Sequence, residues 1–353
     1  MNLTTPPSRG RHGSLVCGRG LALLAMALLA LASATTAVAE TRVVIIAGKG
    51  GSEKHTERFS RLALQLHDAL ITQHGFAPRQ IILFAEPEVR LPATTQPCRA
   101  QEIEKALADL SATLQRDDLL AVVLFGHGSD DGTFAKFNLA GPDLRDLDFD
   151  RLLSRLPCQR QIVVNTTASS AGFLAKLSRN DRILITATRS AEEKYLTVFP
   201  EFFVAAFVTP AEADLDKDQK LSLLEAFDYA RDRVVRFYEE TNRLRPEHAL
   251  LDDNGDGVGS EMPGLHAGAA MSMPDGQLAT QTFLLPETLT PGPRLITEAA
   301  AGGPLALAKQ KLLAEIAALK ARKETLPAAE YERQIEALFI QLAKLNREIR
   351  AGK

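Results

Sequence analysis

The amino-acid sequence predicts an α/β domain built on a doubly wound, mostly parallel sheet with helices on both faces, followed by a C-terminal helical hairpin. Three observations carry this expectation. Short runs rich in β-branched and aliphatic residues recur between Arg42 and Thr188. Segments with apolar residues at helical spacing separate them. The runs are nearly continuous in apolar residues rather than alternating, which marks strands covered on both faces and, with the intervening helices, parallel pairing.

The first element in chain order is an address. Arg9, Arg11 and Arg19 precede an apolar run from Leu21 to Ala32, and Ala37-Val38-Ala39 supplies the small residues that a signal peptidase requires. Residues 1–39 are read as a signal peptide cut between Ala39 and Glu40, giving a secreted or periplasmic protein. The run is shorter than the roughly 20 residues of a membrane helix, so no membrane span is expected after cleavage.

Residues 40–285 form the expected α/β domain. Its strands are Arg42 to Ala47, Gln80 to Ala85, Leu119 to Phe125, Gln161 to Asn165 and Arg182 to Thr188. Between them, Phe59, Leu62, Leu64, Leu66 and Leu70 mark one helix, and Ile103, Leu107, Leu110 and Leu114 another. Residues 286–303, rich in Pro, Gly and Thr, read as a linker. In residues 304–353, Leu312, Ile316 and Leu319 form one seam, and Tyr331, Ile335, Leu338, Leu342, Leu345 and Ile349 a second. Leu326-Pro327 separates the two helices of this hairpin. It packs on itself or on the domain, or it is an arm for a homodimer or a partner; the heptads are too few to choose.

The 353 residues include 41 Lys and Arg against 44 Asp and Glu, a net charge of -3, so no basic excess points to nucleic acid. Of three cysteines, Cys17 falls in the leader. Cys98 and Cys158 are expected as unpaired thiols, because one precedes a helix and the other a strand, at opposite ends of the sheet.

Open α/β sheets place their chemistry in the loops after the carboxyl ends of strands. Those loops run from Gly48 to His55, Gly126 to Asp131, Thr166 to Gly172 and Arg189 to Lys194. The second holds Gly126-His127-Gly128, in which flanking glycines let a ring and a backbone N–H come close to a ligand. The third holds Thr167-Ala168-Ser169-Ser170-Ala171-Gly172. Neighbouring strand ends thus offer a histidine and a small hydroxyl residue to one crevice.

On these segments the chain resembles the caspase-like cysteine peptidases, and within them the legumain branch and its bacterial relatives. The resemblance implies that His127 matches the catalytic histidine, Gly128 the glycine whose N–H helps to form the oxyanion hole, and Ser169 the nucleophilic cysteine. Ile185 to Ser190 resembles the fifth strand and pocket wall, and the Gly48 loop with Lys54 and His55 resembles the first strand's loop. The pocket residues implied are Gly48, Lys54, His55, Thr167, Arg189 and Ser190. Three departures stand out: Ser169 for cysteine, Thr167 for an acidic residue and Gly126 for aspartate. A cysteine ionises near pKa 8.5 and attacks without a contacting base, whereas a serine needs one. Two readings follow. The chain is a catalytically impaired pseudopeptidase that binds peptide or protein partners, or it is a hydrolase that uses Ser169 with His127.

Neither reading requires a cofactor, although two acidic loops have calcium-like spacing. Asp214, Asp216, Asp218, Lys220, Ser222 and Glu225 fall at positions 1, 3, 5, 7, 9 and 12 of such a loop, with Gln219 where glycine is usual. Asp252, Asn254 and Asp256 open a second loop, in which Pro263 replaces the closing glutamate. His67, His74, His248 and His266 have no ligand-like spacing and read as surface or capping residues.

Overall fold

A computed structural model of the chain describes residues 39–86, 91–263, 274–287 and 326–350, with isolated positions between 308 and 319. The expected signal peptide and most of the linker lie outside the described residues. Residues from Ala39 onward make one compact unit.

Its centre is a six-stranded sheet. The strands are β1 (Thr41–Ala47), β2 (Ile81–Phe84), β3 (Leu119–Phe125), β7 (Arg160–Asn165), β8 (Arg182–Thr186) and β9 (Leu250–Asp252). Their order across the sheet is β2-β1-β3-β7-β8-β9. All pairings are parallel except that of β8 with β9. All seven residues of β3 are buried, as its unbroken LLAVVLF run requires. This is the doubly wound α/β arrangement that the sequence predicts, with an antiparallel edge strand added.

Successive strand residues point to opposite faces, so each face has its own core. Val43 and Ile45 meet Phe59, Leu62, Leu66, Phe203 and Phe227 on one side. These come from helices α1 (Glu53–Thr72), α5 (Phe199–Val208) and α7 (Leu223–Glu240). Val44 and Ile46 meet Ile103, Leu107, Phe149 and Phe173 on the other. Those belong to α2 (Ala100–Ser111), α3 (Asp146–Leu153) and α4 (Gly172–Leu177). Each fully buried Val, Leu, Ile or Phe side chain contributes about 1.5–3 kcal/mol, so the two cores dominate stability.

A second, three-stranded sheet follows β3. It contains β4 (Gly128–Asp130), β5 (Ala135–Phe137) and β6 (Leu144–Arg145), and it places Phe137 against the carboxyl ends of β1 and β3. A short helix, α6 (Pro210–Ala213), leads into the Asp214 loop.

Pro286 and Glu287, read from sequence as the start of a linker, are pinned to the domain. Thr41 N–H donates to the Pro286 carbonyl at 3.1 Å, and Glu287 bridges to Glu40. In the C-terminal segment α8 (Ala328–Arg350) is helical, and Leu342 packs with Leu312 and Ile316. That contact joins the two seams of the expected hairpin. Cys98 and Cys158 are free and buried. Among the described residues no helix is long and apolar enough to cross a membrane.

Candidate functional site

The strand order reverses direction between β1 and β3, which is where an open α/β sheet opens a crevice at its carboxyl edge. The loop after β1 turns at Gly51, with φ +71°, into α1. Ser52 caps that helix by accepting from His55 N–H at 3.3 Å. Gly50 is wrapped by the helix start: a Cβ there would lie 2.1 Å from Thr56 N. The fold of this turn sets the Gly50 carbonyl facing the loop after β3.

His127 meets it. Its Nε2 lies 2.9 Å from the Gly50 carbonyl oxygen, and since a carbonyl only accepts, Nε2 carries the proton. The neutral ring then keeps Nδ1 as its acceptor. His127 stacks edge-on against His55 at 5.3 Å and Phe59 at 5.2 Å. Burial holds its pKa below 6.5; the Gly50 bond opposes this shift, while the charges of His55 and Arg58 add to it. Arg58 is clamped by Glu201, at 2.6 Å from Nε and 2.7 Å from Nη2, and by the Thr197 carbonyl, tying α1 to the start of α5.

The loops after β3 and β7 touch. A Cβ on Gly128 would lie 2.2 Å from Thr167 Oγ1 and 2.5 Å from the Ala168 carbonyl. Only glycine lets the loop after β3 approach Thr167 and Ala168 this closely. Gly128→Ala is therefore expected to cost about 1–3 kcal/mol through overpacking, read as a lower denaturation midpoint at unchanged slope. Thr167 is buried, with its hydroxyl donating to Asn165 Oδ1 at 2.8 Å, so it faces the strand end rather than a ligand.

Ser169 sits at φ +51° between β7 and α4. A left-handed serine at a strained strand-to-helix turn is the backbone setting of a nucleophile elbow. Its side chain is otherwise engaged. Ser169 is 2% exposed, and its hydroxyl donates to the Ala191 carbonyl at 2.9 Å. Its backbone N–H donates to the Glu193 carbonyl at 2.9 Å. The neighbouring Ser170 is structural: its hydroxyl meets Thr188 Oγ1 at 3.0 Å and accepts from the Ala187 and Thr188 amides.

The loop that covers Ser169 is itself held from behind. The buried Glu193 carboxylate accepts from Arg189 N–H at 2.9 Å, His248 N–H at 3.0 Å and His248 Nδ1 at 2.5 Å. The exposed Arg189 guanidinium adds an ion pair at 3.4 Å. The adjacent Glu247 accepts from the Val198 and Phe199 amides at the start of α5 and from Tyr238 Oη. Residues 247 and 248 thus anchor both ends of the segment from Arg189 to Phe199.

Of the residues expected in the crevice, His127, Gly128, His55, Gly48 and Ser169 gather at the carboxyl edge of β1, β3 and β7. Lys54 is an exposed residue in the first turn of α1, and Ser190 is half-buried with its carbonyl accepting from Glu193 N–H. Glu193, Glu247 and Arg58 were not singled out by sequence, and His248 is a paired, mostly buried residue rather than a surface one. No spacing links positions 193 and 248; the one sequence signal was that His248 directly precedes an apolar run. Of the other histidines, His67 pairs with Asp68 at 2.8 Å and His74 bonds the Phe207 carbonyl at 3.0 Å. His266 lies outside the described residues.

The acidic loops hold themselves together. Asp214, Asp216 and Asp218 bring carboxylate oxygens within 4.8 Å of one another. Gln219 adopts φ +68°, the conformation that glycine supplies in a calcium loop. Glu225, however, spends Oε1 on the Leu215 and Asp216 amides and Oε2 on Ser222. Burial and the nearby Asp216 charge push its pKa up to about 7. In the second loop Asp252 accepts from Gly255 and Gly257, and Asn254 Oδ1 accepts from Asp256 N–H. These are turn-forming bonds, and the first loop makes them too: Asp214 and Asp216 accept from Asp218 N–H, and Asp218 from Lys220 N–H. What sets Asp214, Asp216 and Asp218 apart as residues that could hold a cation is the clustering of their carboxylates.

His127 gives one further expectation. A group with a depressed folded pKa contributes stability that is present above its unfolded pKa and is lost as pH falls through the folded value. Here that window opens downward from 6.5. The His127 ring resonances should titrate with a midpoint below 6.5, and His127→Gln should flatten the loss of stability on acidification.

No protein-family profile matches the chain, and no curated protein does. Among solved structures, the crystal structure of protein GSU0716 from Geobacter sulfurreducens is similar at 12% identity, with 60% of this chain and 92% of that chain covered and a TM-score of 0.39.

Proposed function

We propose that this chain is a catalytically impaired protein of the caspase and legumain type, exported from the cytoplasm, whose crevice binds peptide or protein partners. The observation that carries the reading is the fate of the Ser169 proton. It is donated to the Ala191 carbonyl, a group that cannot act as a base, while the His127 ring donates its own proton to Gly50. A serine attacks only when an adjacent base, oriented by a third group, removes its proton. The arrangement supports a nucleophile position kept in backbone geometry and disarmed in chemistry.

The left-handed turn at Ser169 favours a second reading, a serine hydrolase using Ser169 with His127. The two separate cleanly. Purified protein should turn over none of a panel of fluorogenic Asn, Asp, Arg and Lys peptides and should not react with a fluorophosphonate probe. Labelling of Ser169, lost in Ser169→Ala, would establish the hydrolase instead. The C-terminal hairpin is the partner or homodimer arm in this reading, tested by light scattering with and without residues 304–353. This reading requires no cofactor in the crevice. Calcium at Asp214, Asp216 and Asp218 would act as a shape-fixing ion, and a rise in Tm on adding Ca2+ that Asp216→Asn abolishes would reveal it.

A further inference from the structure

The compact unit opens at Ala39, and the next residue meets a buried carboxylate. Glu40 N–H donates to Asp118 Oδ1 at 2.7 Å. Asp118 is 7% exposed, and its second oxygen accepts from Gln115 N–H at 2.7 Å, so the turn entering β3 aims the carboxylate. The Glu40 carbonyl accepts from Leu119 N–H at 3.0 Å, and Thr41 N–H bonds to Pro286 at 3.1 Å. The position of the Glu40 nitrogen is therefore fixed from both sides. The Glu40 side chain points at Arg42 and Arg79, each 3.7 Å away, which leaves the Asp118 carboxylate to the backbone nitrogen. Among the described residues Asp118, a buried acid, forms no direct ion pair; the Arg160 guanidinium acts on it only from beyond contact, its Nη2 being engaged by the Asp117 carbonyl at 2.9 Å.

We propose that Asp118 is the receptor for a new amino terminus at Glu40. Hydrolysis of the Ala39–Glu40 peptide bond breaks its C–N bond; water gives hydroxide to the Ala39 carbonyl carbon and a proton to the Glu40 nitrogen. The resulting amine takes a second proton from solvent and becomes an ammonium, as α-amino groups with a pKa of about 7.7–8.0 do at neutral pH. An amide hydrogen bond to a carboxylate then becomes a charge-assisted pair at the same site, without movement of the backbone. Removal of the leader does more than release the domain: it gives Asp118 a cation in direct contact, beside the longer-range charge of Arg160. The inference rests on the export reading of residues 1–39, and its test separates the two.

Chains that begin at Glu40 with a free amine are compared with chains that begin at Ala39, each with Asp118 or with Asp118→Asn. The Glu40 chain should melt about 2–4 °C above the Ala39 chain, and Asp118→Asn should abolish the difference. Where Asp118→Asn does not fold, the Nα-acetylated Glu40 chain replaces it and should melt with the Ala39 chain. Equal melting of the two starts with Asp118 intact overturns the receptor. Mass spectrometry of the exported protein addresses the processing: an intact mass beginning at Glu40 is expected, and any other start overturns the assignment of this bond.

Discussion

If the proposed reading holds, Ser169→Cys is expected to cleave peptides with turnover at least about 100-fold above the parent, the lower end of what an effective acid–base and nucleophile arrangement supplies. The backbone already holds residue 169 at φ +51° on the turn between strand and helix, so the substitution changes one atom and no fold. A thiol binds a carbonyl acceptor more weakly than a hydroxyl does, which loosens the grip of Ala191 on the side chain. A thiol ionises far more readily than an alcohol, with a reference pKa of about 8.5, so it depends less on a contacting base than the serine does; burial at position 169 works against ionisation until substrate opens the loop. His127 is neutral with Nε2–H held by Gly50, so it protonates a leaving amine only after its Nδ1 has taken up the proton that the thiol releases. The check is a fluorogenic peptide panel, with His127→Ala in the cysteine background as the control that should remove the gain. A cysteine variant that shows no turnover would count against the proposed peptidase-type reading of the crevice.

The parts of this arrangement differ in how much the sequence reveals. The five parallel strands are legible because each has an apolar centre with polar residues only at its ends, and burial on two faces allows little else; β3, apolar and buried throughout, is the clearest case. The residues after those strands are legible for a topological reason, since a doubly wound sheet collects them at one edge whatever their identity. His127 and Ser169 are found that way. The edge strand β9 and the strands β4 to β6 are two or three residues long, too short for a periodic pattern to register. The state of the Ser169 hydroxyl is also out of reach. It depends on the Ala191 carbonyl, which lies in a loop held by Glu193, which is held by His248, and each link joins residues that sequence spacing does not relate. Sequence located the strand-end residues, and tertiary contacts decide what their side chains can do.

The second large effect lies at the base of that chain of contacts. Glu247 is 1% exposed and accepts from Val198 N–H at 2.8 Å, Phe199 N–H at 3.0 Å and Tyr238 Oη at 2.8 Å. Burial raises its pKa and the two amides and the phenol oppose that shift, so a carboxyl is retained in the interior because three donors need it. Glu247→Ala leaves two amides at the start of α5 and a buried phenol without an acceptor. Each buried unsatisfied group costs about 1–3 kcal/mol, and the total is expected at about 3–5 kcal/mol because the loop relaxes and water reaches part of it. Relaxation has a local signature. The segment from Arg189 to Phe199 loses one of its two anchors, and with it the Ala191 and Glu193 carbonyls that cover residue 169. In the Ser169→Cys background, Glu247→Ala should raise the rate at which iodoacetamide alkylates the introduced thiol about tenfold or more at temperatures where the global fold persists. Glu247→Gln, which keeps one acceptor oxygen, should fall between the two. An alkylation rate unchanged by Glu247→Ala would mean that the loop over residue 169 is held independently of the 247–248 anchor, and the cover would have to be assigned to the Glu193 contacts alone.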